Sequence, residues 1–379
     1  MKIFVAIIVI ISTLLSCQGK PTRTDYEAGG SQQGFLPPPV WNDSMQNLKR
    51  DLVMLQPYIF DKKKFNDPVN KKFLSKSIHE LAVDSQNVKH DPIILAKDPT
   101  ARFVAAEFAN EIKQADENFN NGWHEYSRSQ LVKVTSYCLE CHTRVKDGVE
   151  VRLQDSVEPY VNTLPIKDQI EFMVAFRQFD SAYKLAQQEM RKVYSHQDLH
   201  SDIETVSRLG FMVAVQYMQD KAKAEILTEA LSQNKSIPGF LKVKNTSWRN
   251  SIQQWDSNET LTKLSSIRLM LKNKKSDIED MRAIPALLRL LTDDLTPDEL
   301  GEALLLTGES YESLNRVSMI SLHENYYESC IRRVPQSKWA KTCFKNYQDS
   351  VTASYTGSGG TRLPNDVKQK LQTLKALIQ

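Results

Sequence analysis

Cys138-Leu139-Glu140-Cys141-His142 sets two thiols three positions apart, with an imidazole directly behind them. On a helix such thiols sit on neighbouring turns, where each can form a thioether to one porphyrin vinyl group. The His that follows is then placed to ligate iron from the proximal side. The expected cofactor is one covalent haem c, held by Cys138 and Cys141 with His142 on the metal. Thioredoxin-type pairs share the Cys spacing but open a helix after a strand. Here the pair comes late in a helical stretch from about Trp123, with no strand pattern before it. A zinc site needs two further ligands at matching spacing, and the other cysteines are far away.

Those other cysteines have separate uses. Lys2 and an apolar run from Ile3 to Leu15 read as an export signal, too short for a comfortable membrane span. Leu14-Leu15-Ser16-Cys17 resembles the lipobox of bacterial lipoproteins. The resemblance implies acylation of Cys17 and, with Gln18 next, an outer-membrane anchor facing the periplasm. Leu15 is a less usual residue at its place, so an ordinary cleaved leader is the alternative. Cys330 and Cys343 flank Val334-Pro335-Gln336-Ser337, a helix stop and restart, and are expected to pair as a disulfide across a hairpin. Two independent buried thiols are the competing reading. Export supplies the oxidising compartment that a disulfide needs.

Stepping from chemistry to scaffold, 379 residues with 49 basic and 46 acidic side chains carry a formal charge of only +3. Near-balance, without an Arg/Lys stripe among aromatics, argues against nucleic acid as a partner. The lysine runs Lys62 to Lys64, Lys71-Lys72 and Lys272 to Lys275 read as solvated faces or loops. Residues 18–41 are polar and rich in Gly and Pro, a tether able to reach up to about 75 Å when extended. From Trp41 onward apolar residues recur at helical spacing and no alternation appears, so the fold class is all-α. The expected layout is signal 1–17, tether 18–41, a four-helix haem domain 42–147 and a helical domain 148–379.

Four helical stretches lead to the motif: Asp43 to Ile59, with Pro57 a candidate early stop; Pro68 to Val88; Asp98-Pro99 to Asn121-Gly122; and Trp123 to about Val145. Short links between long helices imply an antiparallel four-helix bundle. With CxxCH near the end of the fourth helix, residues 42 to 146 resemble the class II cytochromes c, the cytochrome c′ and c556 group. That group has an Arg four residues after the haem His; here Lys146 stands there and Arg144 comes two after. The resemblance implies electron transfer or, with an open iron, binding of a gas such as NO. Met45, near the start of helix one, matches the place where cytochrome c556 supplies a Met as sixth ligand. His79 and His90, toward or beyond the end of helix two, are rivals; Met54 lies off the apolar stripe.

Beyond Gly148 the chain reads as helical hairpins, around Ile166 to Val193, Asp202 to Gln233, Leu261 to Lys274 and Asp280 to Leu291. Thr296-Pro297-Asp298-Glu299 is a capping-box start. Leu304, Gly308 and Tyr311 after it are spaced as in the first helix of a tetratricopeptide repeat. This part resembles a degenerate α-solenoid of that type, which would dock a partner or only pack on the haem domain. Tyr355 to Arg362 reads as a flexible glycine loop without the Lys-Ser/Thr of a phosphate loop. His196, His200 and His323 have no metal-ligand company, and no hydrolase motif appears. The chain is thus expected to be a lipid-anchored electron carrier, not an enzyme, serving a redox partner in the bacterial cell envelope. The alternatives are a gas-binding sensor and a scaffold lipoprotein with a structural haem.

Overall fold

Apolar side chains spaced by three and four residues bury one side of a helix, and the chain uses this solution almost throughout. The computed structural model describes residues 38–88, 99–142, 161–193, 202–256, 261–314 and 322–379, and it is all-α, with sixteen α-helices among them. Cys17, His90, Lys146, His196 and His200 lie outside the described residues, as does the expected domain boundary at 147/148.

The first group comprises α1 (Pro38–Ile59), α2 (Lys62–Asn66), a 3-10 turn (Pro68–Asn70), α3 (Lys71–Val88), α4 (Pro99–Asn120) and α5 (His124–His142). Pro57 stays inside α1: falling in the last turn, it removes one backbone bond without ending the helix. The short α2 was not expected; Asp61 starts it by accepting from the N–H groups of Lys63 and Lys64. Leu48, Leu52, Leu55 and Ile59 of α1 meet Leu74, Ile78 and Leu81 of α3, Ile112 and Phe119 of α4, and Leu131 and Val134 of α5 in one core. Each such side chain, fully buried, contributes about 1.5–3 kcal/mol.

Polar contacts fix the register of α3 against α4. Ser75 Oγ donates to Asn120 Oδ1 (3.1 Å), His79 Nδ1 meets Asp116 Oδ2 (2.9 Å), and Gln86 Nε2 donates to the Ala109 carbonyl (3.2 Å). Every step forward in α3 is matched by an equal step back in α4, so the two run antiparallel.

The second group comprises α6 (Ile166–Ala175), α7 (Phe179–Arg191), α8 (Asp202–Phe211) continued by a π turn (Met212–Tyr217), α9 (Lys221–Gln233) and α10 (Gly239–Gln253). It continues with α11 (Leu264–Lys272), α12 (Ile278–Leu290), α13 (Pro297–Leu314), α14 (His323–Arg333), α15 (Ala340–Ser354) and α16 (Asn365–Leu377). Each of α7, α8, α10, α12, α13, α14 and α15 packs on the helix before it in the chain. The stretches Ile166 to Val193 and Asp202 to Gln233 are each divided by a tight turn, and α10 was not expected.

The two dividing turns are alike. Arg177 (φ 59°) and Gln219 (φ 52°) are the non-glycine residues in the left-handed region among those described. Each stands two residues after a helical segment, which ends at Ala175 or Tyr217, and two before the next, which begins at Phe179 or Lys221. The turns also touch, through stacked Phe179 and Tyr217 rings 5.4 Å apart.

At α13 the capping box is formed: the Thr296 N–H donates to Glu299 Oε2 (3.0 Å) and the Glu299 N–H reaches back to Thr296 Oγ1 (3.4 Å). Gly308 is needed for close packing, because a Cβ there would lie 2.4 Å from the buried Tyr327 ring. Cys330 and Cys343 are joined by a disulfide, 6.3 Å between Cα atoms, across the α14–α15 hairpin. Tyr355 to Arg362 is a short antiparallel pair, β1 (Thr356–Gly357) with β2 (Gly360–Thr361), where a loop without regular structure was expected. Gly360 at φ +90° makes that reversal, and Thr356 and Thr361 hydroxyls bond across it at 2.8 Å.

Candidate functional site

The helix that carries the CxxCH is held from its first residue. α4 ends in a left-handed Gly122, with Trp123 N–H donating to the Asn118 carbonyl and Gly122 N–H to that of Phe119 (2.8 and 3.0 Å). This is the Schellman stop, and it turns the chain directly into α5. Apolar Leu131 and Val134 alternate with polar Ser127 and Gln130 on the buried side of α5. The polar pair is satisfied by α4: Ser127 Oγ donates to the Ala115 carbonyl (2.7 Å), and Gln130 Oε1 accepts from Asn118 Nδ2 (2.7 Å). Buried and bonded, these groups fix the helix in register rather than weaken it.

Continuing this stripe by three and four residues leads from Leu131 and Val134 to positions 138 and 141, with His142 the last residue of α5. The side chains of Cys138, Cys141, His142 and Met45 are not among those described; their places along the helices are. Just before the motif, Tyr137 meets Phe108 of α4, ring centroids 6.4 Å apart, and packs against the cores of both helical groups. Burial, then the nearby Glu111 and Glu107, raises its phenol well above the ordinary value. On the opposite flank α6 lies against α5, and Val104 near the start of α4 belongs to the second core. Val104 thus joins the second core while Phe108, Ile112 and Phe119 of the same helix belong to the first.

The sixth-ligand candidates separate cleanly by level. Arg128 Nη1 of α5 donates to the Ile59 carbonyl at the end of α1 (3.0 Å). Helices α1 and α5 run in opposite directions, because α3 reverses α1, α4 reverses α3 and α5 reverses α4. Fourteen residues back along α1 is Met45, and fourteen forward along α5 is His142. The two positions share one end of the core to within about a helical turn. His79 does not reach it. It sits mid-helix in α3, two-thirds exposed and paired with Asp116, level with Ser127. From Ser127 to His142 is about 22 Å along α5, so His79 stands about four helical turns from the CxxCH end. Met54 is 44% exposed on the outer side of α1.

A half-buried carboxyl was missed in the sequence. Glu171 of α6, the helix laid against α5, has its pKa pushed up to about 7, chiefly by burial, with Asp168 adding to the rise and Lys167 opposing it. A carboxyl whose folded pKa exceeds its ordinary value lends stability that is full below about pH 4.5. That contribution declines as pH rises through the window up to 7 and is lost above it. Glu171→Gln is therefore expected to flatten the pH dependence of unfolding between pH 5 and 8 and to stabilise the chain at pH 8 by about 2 kcal/mol. Urea midpoints at both pH values measure this, and equal gains at pH 5 and 8 would refute it.

Elsewhere, His323 is buried and 2.7 Å from Ser350 Oγ. Among the described residues no group of three or more His, Cys, Asp or Glu gathers to hold a metal ion, and no helix is long and apolar enough to cross a membrane. No family model matches the chain, and neither a curated protein nor a solved structure is significantly similar to it.

Proposed function

We propose that the chain is an exported monohaem c-type cytochrome, anchored through Cys17, in which the first helical group is a four-helix bundle holding the haem and the second a tetratricopeptide-like solenoid that docks a redox partner. The observation that carries this reading is the CxxCH itself, closing a helix whose buried stripe runs into it. When bound, a haem c supplies a one-electron couple at its iron.

The chain's own residues supply the rest. Cys138 and Cys141 would hold the porphyrin, and His142 would offer the proximal nitrogen. Tyr137, Phe108 and Val104, packed beside the motif, would keep water from that end of the core. Met45, at the level of His142, is the favoured sixth ligand. A thioether there would close a bound metal to outside ligands.

The test is an optical spectrum of chain matured with the c-type haem apparatus, oxidised and reduced, with and without CO. A sharp reduced α-band indifferent to CO supports a closed site and electron transfer. Met45→Ala is then expected to make the protein CO-reactive. A broad spectrum that already responds to CO in the parent removes Met45 from the metal and favours the gas-binding reading. Absence of covalent haem refutes the proposal.

A further inference from the structure

The end of the first helical group farthest from the CxxCH has a surface of its own. Trp123 is 62% exposed, Tyr126 58% and Val69 86%. Trp123 and Tyr126, three residues apart at the start of α5, lie on one side of that helix. Large aromatic side chains left in water in this way mark a surface that meets something apolar.

The surrounding charge says what. Lys63, Lys71 and Lys72 are exposed and form no ion pair among the described residues. Of the carboxylates nearby, Asp61 pairs with Lys64 at 3.9 Å and Glu125 with Lys62 at 3.1 Å, which leaves the exposed Asp67, cap of the 3-10 turn, against three lysines. Asn66 Nδ2 also donates to Glu125, and Ser75 Oγ to Asn120 Oδ1, so α2, the start of α3 and the α4–α5 turn form one continuous end. An excess of lysines at the same end as exposed Trp and Tyr matches an anionic lipid surface, where the indole and phenol settle at headgroup level and the ammonium groups face lipid phosphates.

We propose that this end of the molecule, centred on Trp123, Tyr126, Lys71 and Lys72, rests on an anionic membrane. In that orientation the helix end bearing Cys138 to His142 stands about 28 Å away, one length of α5, pointing off the bilayer. The inference is independent of the haem reading.

The full chain reconstituted with anionic vesicles carrying bromine-labelled acyl chains tests it. Bromine quenches only indoles at the bilayer, so parent and Trp123→Phe are compared, the other tryptophans serving as common background. Greater quenching in the parent, lost in K71E/K72E and in vesicles of zwitterionic lipid alone, is the expected result. Equal quenching of parent and W123F would overturn the proposal, and so would excess quenching indifferent to lipid charge. Sedimentation of a dimer that W123A/Y126A converts to monomer would assign the surface instead to a second copy of the chain, and likewise overturn it.

Discussion

Replacing Cys138 and Cys141 together by Ala is expected to reduce covalent haem to background while leaving the chain folded. A thioether survives denaturation, whereas ligation through His142 alone does not. Haem staining after a denaturing gel therefore separates attachment from mere binding. Either single replacement leaves one attachment point and is expected to give a reduced, not absent, signal. Folding is expected to persist because the core that orients α5 lies before the motif, in Leu131, Val134 and the bonded Ser127 and Gln130. Far-ultraviolet circular dichroism checks this. A double variant that still stained would refute the attachment outright.

The second large effect is expected from C330A/C343A. The disulfide closes a loop with a sequence separation of 13, and both cysteines are fully buried between α14 and α15. In the chain-entropy view such a closure contributes about 3 kcal/mol by restricting the unfolded chain. For a chain of 379 residues the loss corresponds to a fall of roughly 4 °C in Tm. Thermal unfolding with and without reductant gives the control: reductant is expected to lower the parent's Tm by a similar amount and to leave the variant unchanged. If reductant acts on both alike, the stabilisation comes from elsewhere.

Much of the helical layout is legible because local rules decide it. Thr296 and Glu299 announce a helix start by their own chemistry, Asn121-Gly122 a stop, and the α1 and α3 stripes bury as spaced. What was not legible depends on register and on distant neighbours. The level of His79 is fixed by Asp116, 37 residues away. Glu171 is an ordinary helix carboxylate until it is half-buried, and Val104 reads as part of one core until it joins another. The short α2 escaped notice because Lys62 to Lys64 read as a charge run; its start is set by the Asp61 side chain, not by hydrophobic spacing. The place of the candidate site, at the end of α5, was legible in five residues, Cys138 to His142. Which side chain faces His142 was not, since that depends on how α1 is set against α5.

The matching reversals at Arg177 and Gln219 carry a consequence for how such a chain lengthens. From 177 to 219 is 42 residues, and both ends of that segment have the same backbone conformation and lie the same distance from the helices on either side. The bonding at the two ends differs: Gln178 N–H reaches back five residues to the Met173 carbonyl, and Asp220 N–H six residues to that of Ala214. Removing or repeating residues 178–219 would still place one left-handed residue two positions from the helix on either side of the junction. Length in this region could thus change by whole helices while the end bearing the CxxCH stays as it is.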